Sequence, residues 1–223
     1  MENILNKSIV STFVFVAAMG LSASSHAFSM GGLMGGGSGS SGGGANLSAT
    51  QNKTAADYVA GNLLVISAKT EMAQALNLDG TVAKLKASSD ALKAGTSEDS
   101  IKASDVAVSK ATEEISDKLK SHPVMDADAK SHFAAGLVAL VSGAVSYAKV
   151  GKDLTDSKSA MSSASPMDLM KLGELVYIAK TAPGNMKNLS DTLTKAISFG
   201  KGQGIPAPAN LADATSALGA MAE

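Results

Sequence analysis

The chain has 223 residues, with 19 basic and 20 acidic side chains and no cysteine. This length indicates one domain or at most two, and without cysteine its stability must come from an ordinary apolar core. Every basic residue is a lysine. Arginine is the preferred side chain for bidentate contacts to phosphate and to guanine edges, so its absence and the near-neutral charge argue against nucleic-acid binding.

The first 27 residues have the pattern of an export signal. Lys7 supplies a positive start, an apolar run follows from Ile9 to Leu21, and Ser25 and Ala27 are small residues at the −3 and −1 positions of a cut after Ala27. The alternative is a retained membrane anchor, which is disfavoured because the run is short for a span. We therefore expect a periplasmic or secreted protein with no stable membrane span once the signal is removed.

Residues 28–46 are rich in glycine and serine, a composition typical of a flexible tether. Met30 and Met34 lie inside it, and their thioethers suit Cu(I). No histidine lies close to them in the mature chain, so two incidental apolar residues are the favoured interpretation. The predicted organisation is a signal peptide (1–27), a tether (28–46) and a helical domain (47–223).

From Leu47 onward apolar residues recur at helical spacing. The central stretch, Phe133 to Ala148, carries no charge and is apolar around almost its whole circumference, so other helices or lipid must enclose it. Lipid is the weaker option, because the run is short for a span. The predicted helices, in chain order, are Ser48 or Thr50 to Leu76, Thr81–Ala94, Ser97–Lys120, a central helix from Asp126 that kinks or emerges at Gly151, Ser165–Thr181, Asn185–Phe199 and Asn210–Met221. The fold class is all-α: a bundle of five to seven mostly antiparallel helices around the apolar central helix.

Apolar stripes predict which residues each helix buries. These are Val59, Leu63, Ile66, Thr70, Ala73 and Leu76 in the first helix, Ile101, Val108, Ala111, Ile115 and Leu119 in the third, and Leu169, Leu172, Val176 and Ala179, flanked by Leu175 and Ile178, in the fifth. Thr181 to Gly184 is expected to end the fifth helix, because Pro183 cannot donate a helical hydrogen bond.

Residues that could carry catalysis or bind a metal are few. His122, His132, Asp126 and Asp128 lack the spacing of a metal site, and an interhelix turn accounts for them better. No serine has the sequence context of an activated nucleophile, and no carboxylate lies in an apolar stretch that would raise its pKa; Glu174 comes nearest. We therefore expect a non-enzymatic protein without a cofactor.

The small residues of the core allow two interpretations: close packing of the helices, or an apolar slot between them that holds a ligand. The residues expected to line that slot are Tyr58, Phe133, Leu137, Leu140, Tyr147, Val176, Tyr177 and Phe199. The leading functional hypothesis is an exported bundle that binds an unknown protein partner or assembles with itself. The alternative is a periplasmic carrier of an apolar or amphipathic small molecule.

Overall fold

The structure is a computed structural model that describes residues 44–162, 165, 167 and 172–219. The described residues form six α-helices and no strand. They are α1 (Gly44–Ala75), α2 (Asp79–Ala94), α3 (Glu98–Lys120), α4 (Ala127–Ser162), α5 (Gly173–Gly202) and α6 (Leu211–Gly219). The all-helical bundle expected from the apolar periodicity is confirmed.

The end of α1 and the start of α3 lie where the sequence predicted them. By contrast, α1 begins at Gly44, inside the predicted tether and before Ser48, and α2 begins at Asp79, not at Thr81. Asn77 adopts a φ of 56° after α1, a left-handed conformation that asparagine tolerates and that ends a helix. Ser97 caps α3, where its hydroxyl accepts a hydrogen bond from the Ser100 amide at 3.1 Å and the Ser100 hydroxyl accepts one from the Ser97 amide at 2.9 Å. His122 has a φ of 46° in the turn that follows α3.

The helices run in alternating directions along the chain. Lys53 near the start of α1 contacts Asp153 in the C-terminal part of α4, and Glu71 near the end of α1 contacts His132 near the start of α4. These two helices are therefore antiparallel. Short turns likewise make α2 antiparallel to α1 and α3. As a result α1 and α3 run in the same direction, and their polar side chains meet along the interior of the bundle.

The closest helix pair is α1 with α4, because glycines of α4 face α1. A Cβ added at Gly136 would lie 2.9 Å from the Ala68 carbonyl oxygen, and one at Gly143 would lie 2.8 Å from Val65 Cγ2. Both distances are shorter than van der Waals contact. Small residues therefore serve close packing at this pair, and Leu140 and Val141 of α4 are fully buried beside it.

Two predicted breaks are wrong. The central helix does not emerge into solvent at Gly151, because α4 continues to Ser162 with Val150 and Ser157 still buried. The predicted fifth and sixth helices are one helix, α5, which passes through Pro183. The buried residues Ala182 and Met186 pack into the core on either side of the proline, and this packing outweighs the lost hydrogen bond.

Two predicted stripes are confirmed at some positions, among them Val59, Ile66 and Leu172, and wrong at others. In α1 the structure buries Asn62 and Lys69, whereas Leu63 and Thr70, the next residue in each case, remain half-buried. In α5 the buried residues are Leu172, Leu175 and Ile178, whereas Val176 is 40% exposed and Ala179 is half-buried. The signal peptide and most of the tether lie outside the described residues, as do Pro166, Leu169 and Met221.

Within the described part of the chain, one segment, Ala127–Lys158, is long and apolar enough to cross a membrane by length and composition. Half of its most apolar window is buried inside the bundle. The core helix of a soluble protein passes the same test, so the observation is weak evidence for a span.

Candidate functional site

The residues expected to line an apolar slot form two separate groups along the bundle. At one end, which we call the apolar end, the rings of Phe133 and Phe199 lie 5.3 Å apart. Leu137 joins them, because its Cδ1 atom would lie 3.2 Å from a Cβ added at Gly200.

At the other end, the polar end, the rings of Tyr58 and Tyr147 meet edge to face at 5.2 Å, and Tyr177 joins them through Asp105. Leu140 is fully buried, and Val176 is 40% exposed to solvent. The slot itself stays a prediction.

Asp105 is the centre of the polar end. Its carboxylate accepts hydrogen bonds from the Tyr58 hydroxyl at 2.8 Å, the Tyr177 hydroxyl at 2.9 Å and the Asn62 amide at 3.0 Å. The side chain projects from α3 and is only 9% exposed. A buried carboxylate is tolerated when donors satisfy its oxygens, and here two helices besides α3 provide those donors.

Two further hydrogen bonds extend this cluster to α4 and α5. The Tyr147 hydroxyl donates to the Asn62 side-chain oxygen, and the Asn185 amide donates to the Tyr58 hydroxyl at 2.7 Å. Burial, reinforced by the Asp105 charge, raises the pKa of Tyr58 and of Tyr147 well above that of an exposed tyrosine. Both phenols therefore stay protonated at neutral pH and act as hydrogen-bond donors.

Lys69 is buried in α1 two turns beyond Asn62, with 2% of its surface exposed. Its amine donates a hydrogen bond to the hydroxyl of Thr112 on α3, and that hydroxyl donates to the Val108 carbonyl at 2.8 Å. No ion pair to Lys69 is found among the described residues. Burial without a compensating carboxylate lowers the pKa of Lys69 to about 7, so the amine is roughly half deprotonated at neutral pH.

A small cleft of about 30 Å³ leads from the surface to this lysine. It lies where α1, α3, α4 and α5 meet, and its mouth carries the exposed side chains of Ser109 and Asn188. Its lining residues are Val65, Lys69, Asp105, Val108, Ser109, Thr112, Tyr147, Asn185, Asn188 and Leu189. The cleft thus combines a partly deprotonated amine, a carboxylate and neutral amide and hydroxyl groups.

Sequence reasoning missed Lys69, Asn62 and Asp105. The signal for them is present, because Asn62 and Lys69 occupy the same helical face as Val59, Ile66, Ala73 and Leu76. Asp105 likewise lies between Ile101 and Val108 on the inward face of α3. Asp105 is thus a buried carboxylate that hydrogen bonds satisfy, whereas Glu174 is half-buried at the start of α5.

A second feature is an uncharged surface, which we call the α1–α4 face. Its exposed or half-exposed residues are Ala60, Leu64, Ser67, Ala135, Val138, Ala139, Ser142 and Ser146. Two cross-helix polar contacts bracket it: His132 Nδ1 lies 2.6 Å from Glu71 Oε2 at one end, and Lys53 Nζ forms an ion pair with Asp153 Oδ2 at 2.5 Å at the other. Val138 is 53% exposed near the middle.

A third feature is a groove of about 520 Å³ between the end of α3 and the end of α5. Leu119 and Phe199 form its apolar part, and Lys120, His122 and Lys195 lie at its rim. By contrast, the apolar stripe predicted for α3 is internal, since Ile101, Ala111, Ile115 and Leu119 are all buried. That stripe is not a surface for assembly.

The structure brings no group of three or more potential metal ligands together among the residues it describes. His132 pairs with Glu71 across α1 and α4, and His122 lies in the turn after α3. No family model, no curated protein and no solved structure matches this chain. Functional inference therefore depends on the geometry alone.

Proposed function

We propose that the protein is an exported, non-enzymatic helical bundle that acts by assembling with a second copy of itself through the α1–α4 face. The observation that carries this proposal is the lack of charged side chains on that face, between the Lys53–Asp153 ion pair at one end and the His132–Glu71 contact at the other. The centres of protein interfaces are depleted of charged residues, and an exposed valine surrounded by alanine and serine matches that description.

A second copy is the occupant that this surface suits best. A neutral face matches itself, because neither copy brings a charge that the other must neutralise, and an isologous dimer pairs the same patch on both subunits. The small side chains Ala135, Ala139 and Ser142 allow helices of two copies to approach closely. The outward face of α3, in contrast, carries Lys110 and Asp117, which would have to be paired or desolvated in an interface.

Native mass spectrometry of the purified protein, combined with sedimentation at several concentrations, tests the proposal. We expect a dimer that Val138→Glu shifts towards monomer by at least tenfold in Kd, because the variant places a charge in the interface. Val106→Glu is the matched control: Val106 is 54% exposed on α3 and Val138 is 53% exposed on α4. A wild-type protein that stays monomeric at high micromolar concentration, or a dimer that only Val106→Glu disrupts, overturns the proposal.

The carrier alternative is favoured by the groove at Leu119 and Phe199, whose 520 Å³ falls within the usual size of ligand sites. The same mass spectra test it. A monomer that carries a discrete extra mass, lost when Ser198→Trp fills the groove, supports a carrier. Ser198 is exposed and lines the groove, so this substitution leaves the core intact.

A further inference from the structure

The amine of Lys69 is the one cationic group among those lining the 30 Å³ cleft. The elements around it contribute Asp105 and Thr112 from α3, Tyr147 from α4, and the uncharged Asn185 and Asn188 from α5. Of these, Asp105 and Tyr147 are titratable, and Asp105 already accepts three hydrogen bonds from other residues. Among the described residues, the Lys69 amine has the Thr112 hydroxyl as its hydrogen-bond partner.

A lysine becomes a nucleophile when its amine is unprotonated, which burial in an apolar pocket favours. An exposed lysine, with a pKa of about 10.4, has roughly one unprotonated amine per thousand at pH 7.5. Lys69 is surrounded by Val65, Val108 and Leu189, and burial lowers its pKa to about 7. Most of its amines are therefore unprotonated at the same pH.

We propose that Lys69 captures a small aldehyde as an imine in the cleft between α3 and α5. The lone pair of Nζ forms a bond to the carbonyl carbon, and the carbonyl oxygen takes up the two amine protons and leaves as water. No oxidant or reductant takes part. The Asn185 and Asn188 amides and the Asp105 carboxylate line the same cleft and offer hydrogen-bond partners to the departing water.

The dimensions and charge of the cleft select the ligand class. One water occupies roughly 10–15 Å³ on this measure, so 30 Å³ accepts a group of only about two or three non-hydrogen atoms. An anion is disfavoured, because Asp105 is negatively charged and Lys69 is partly neutral. A small uncharged carbonyl compound fits both restrictions. The α1–α4 face takes no part, so this inference stands or falls independently of self-assembly.

Reductive trapping tests the proposal. The full protein is incubated at pH 7.5 with acetaldehyde and cyanoborohydride, which reduces an imine to a stable ethyl-lysine, and each lysine is then quantified by peptide mass spectrometry. We expect Lys69 to be labelled at least tenfold faster than exposed lysines such as Lys118. Below pH 6 its labelling should fall about tenfold per pH unit, as the unprotonated fraction does.

Benzaldehyde and a variant provide the controls. Benzaldehyde is too large for the cleft, so we expect it to spare Lys69 and to label surface lysines only. Asn188→Trp, which covers the mouth of the cleft from an exposed position, should slow acetaldehyde labelling of Lys69 at least tenfold. Labelling no faster than that of Lys118 overturns the proposal. Equal labelling by both aldehydes also overturns it, since the amine would then react through general opening of the bundle.

Discussion

The apolar end and the polar end of this bundle hold its helices together differently. At the apolar end Phe133, Leu137 and Phe199 make non-directional contacts beside Gly200. At the polar end Asp105 is held by directional hydrogen bonds from α1 and α5. Apolar burial supplies most of the stabilising free energy, whereas hydrogen bonds to one carboxylate fix how far each helix can slide along its neighbours.

The largest expected effect comes from the apolar end. Phe133→Ala removes a fully buried ring that packs against Phe199, and we expect it to lower the free energy of unfolding by about 3–5 kcal/mol. Urea unfolding followed by circular dichroism measures this loss. Val106→Ala, on α3 and 54% exposed, should change stability by less than about 0.5 kcal/mol. A loss below about 1 kcal/mol for Phe133→Ala would show that the apolar end is loosely packed.

The polar end should respond to a single substitution nearly as strongly. Asp105→Ala deprives Tyr58, Asn62 and Tyr177 of their shared acceptor, and each unsatisfied buried donor costs roughly 1–3 kcal/mol. Because a shortened side chain admits some water, we expect a total of about 3 kcal/mol in the same urea experiment. Asp99→Ala, exposed in the first turn of α3, is the control. If both variants lose the same small amount, the carboxylate does not organise the helices.

A smaller, pH-dependent effect should distinguish Lys69 from the polar end. Its pKa is lowered to about 7 in the folded protein, so between pH 7 and pH 10 the unfolded chain binds more protons and stability rises with pH. The limiting slope is roughly 1.4 kcal/mol per pH unit. Lys69→Met has no amine to bury, so we expect its unfolding free energy to exceed that of the wild-type protein most below pH 7. This difference should be smaller by about 2 kcal/mol at pH 9.

Comparison of the two unfolding curves at pH 6, 7, 8 and 9 checks this expectation. Lys118 is an exposed lysine on α3, and the unfolding free energy of Lys118→Met should change with pH in the same way as that of the wild-type protein. A difference between wild type and Lys69→Met that stays constant with pH would mean that Lys69 is protonated equally in the folded and unfolded chains.

The sequence predicted the apolar end better than the polar end for a physical reason. Phe133 to Ala148 is uncharged, and an uncharged helix has to be enclosed. In α1, by contrast, the sequence allows two possible buried faces that share most of their residues. One includes Leu63 and Thr70, and the other includes Asn62 and Lys69. Hydropathy favours the first pair, yet the structure buries the second, because Asp105 and Thr112 of α3 satisfy their polar atoms.

The local sequence pattern also could not predict that α5 is one continuous helix. Pro183 removes one backbone donor, and only the packing of Ala182 and Met186 against the other helices shows that the chain continues through it. The Lys69 cleft needs residues of α1, α3, α4 and α5, which no sequence motif connects. Its parts are visible in the sequence, but the arrangement that lowers the pKa of Lys69 is a property of the tertiary structure.

The close approach of α1 and α4 also bears on the order in which the chain folds. Val65 and Gly143 touch, yet all of α2 and α3 lies between them in the sequence. Bringing these residues together closes a long loop of the chain. The conformational entropy of that loop is lost before the contact between α1 and α4 can stabilise the fold. The α2–α3 hairpin joins neighbouring segments and forms without such a closure. The tightest pair in the native bundle is therefore expected among the last to assemble.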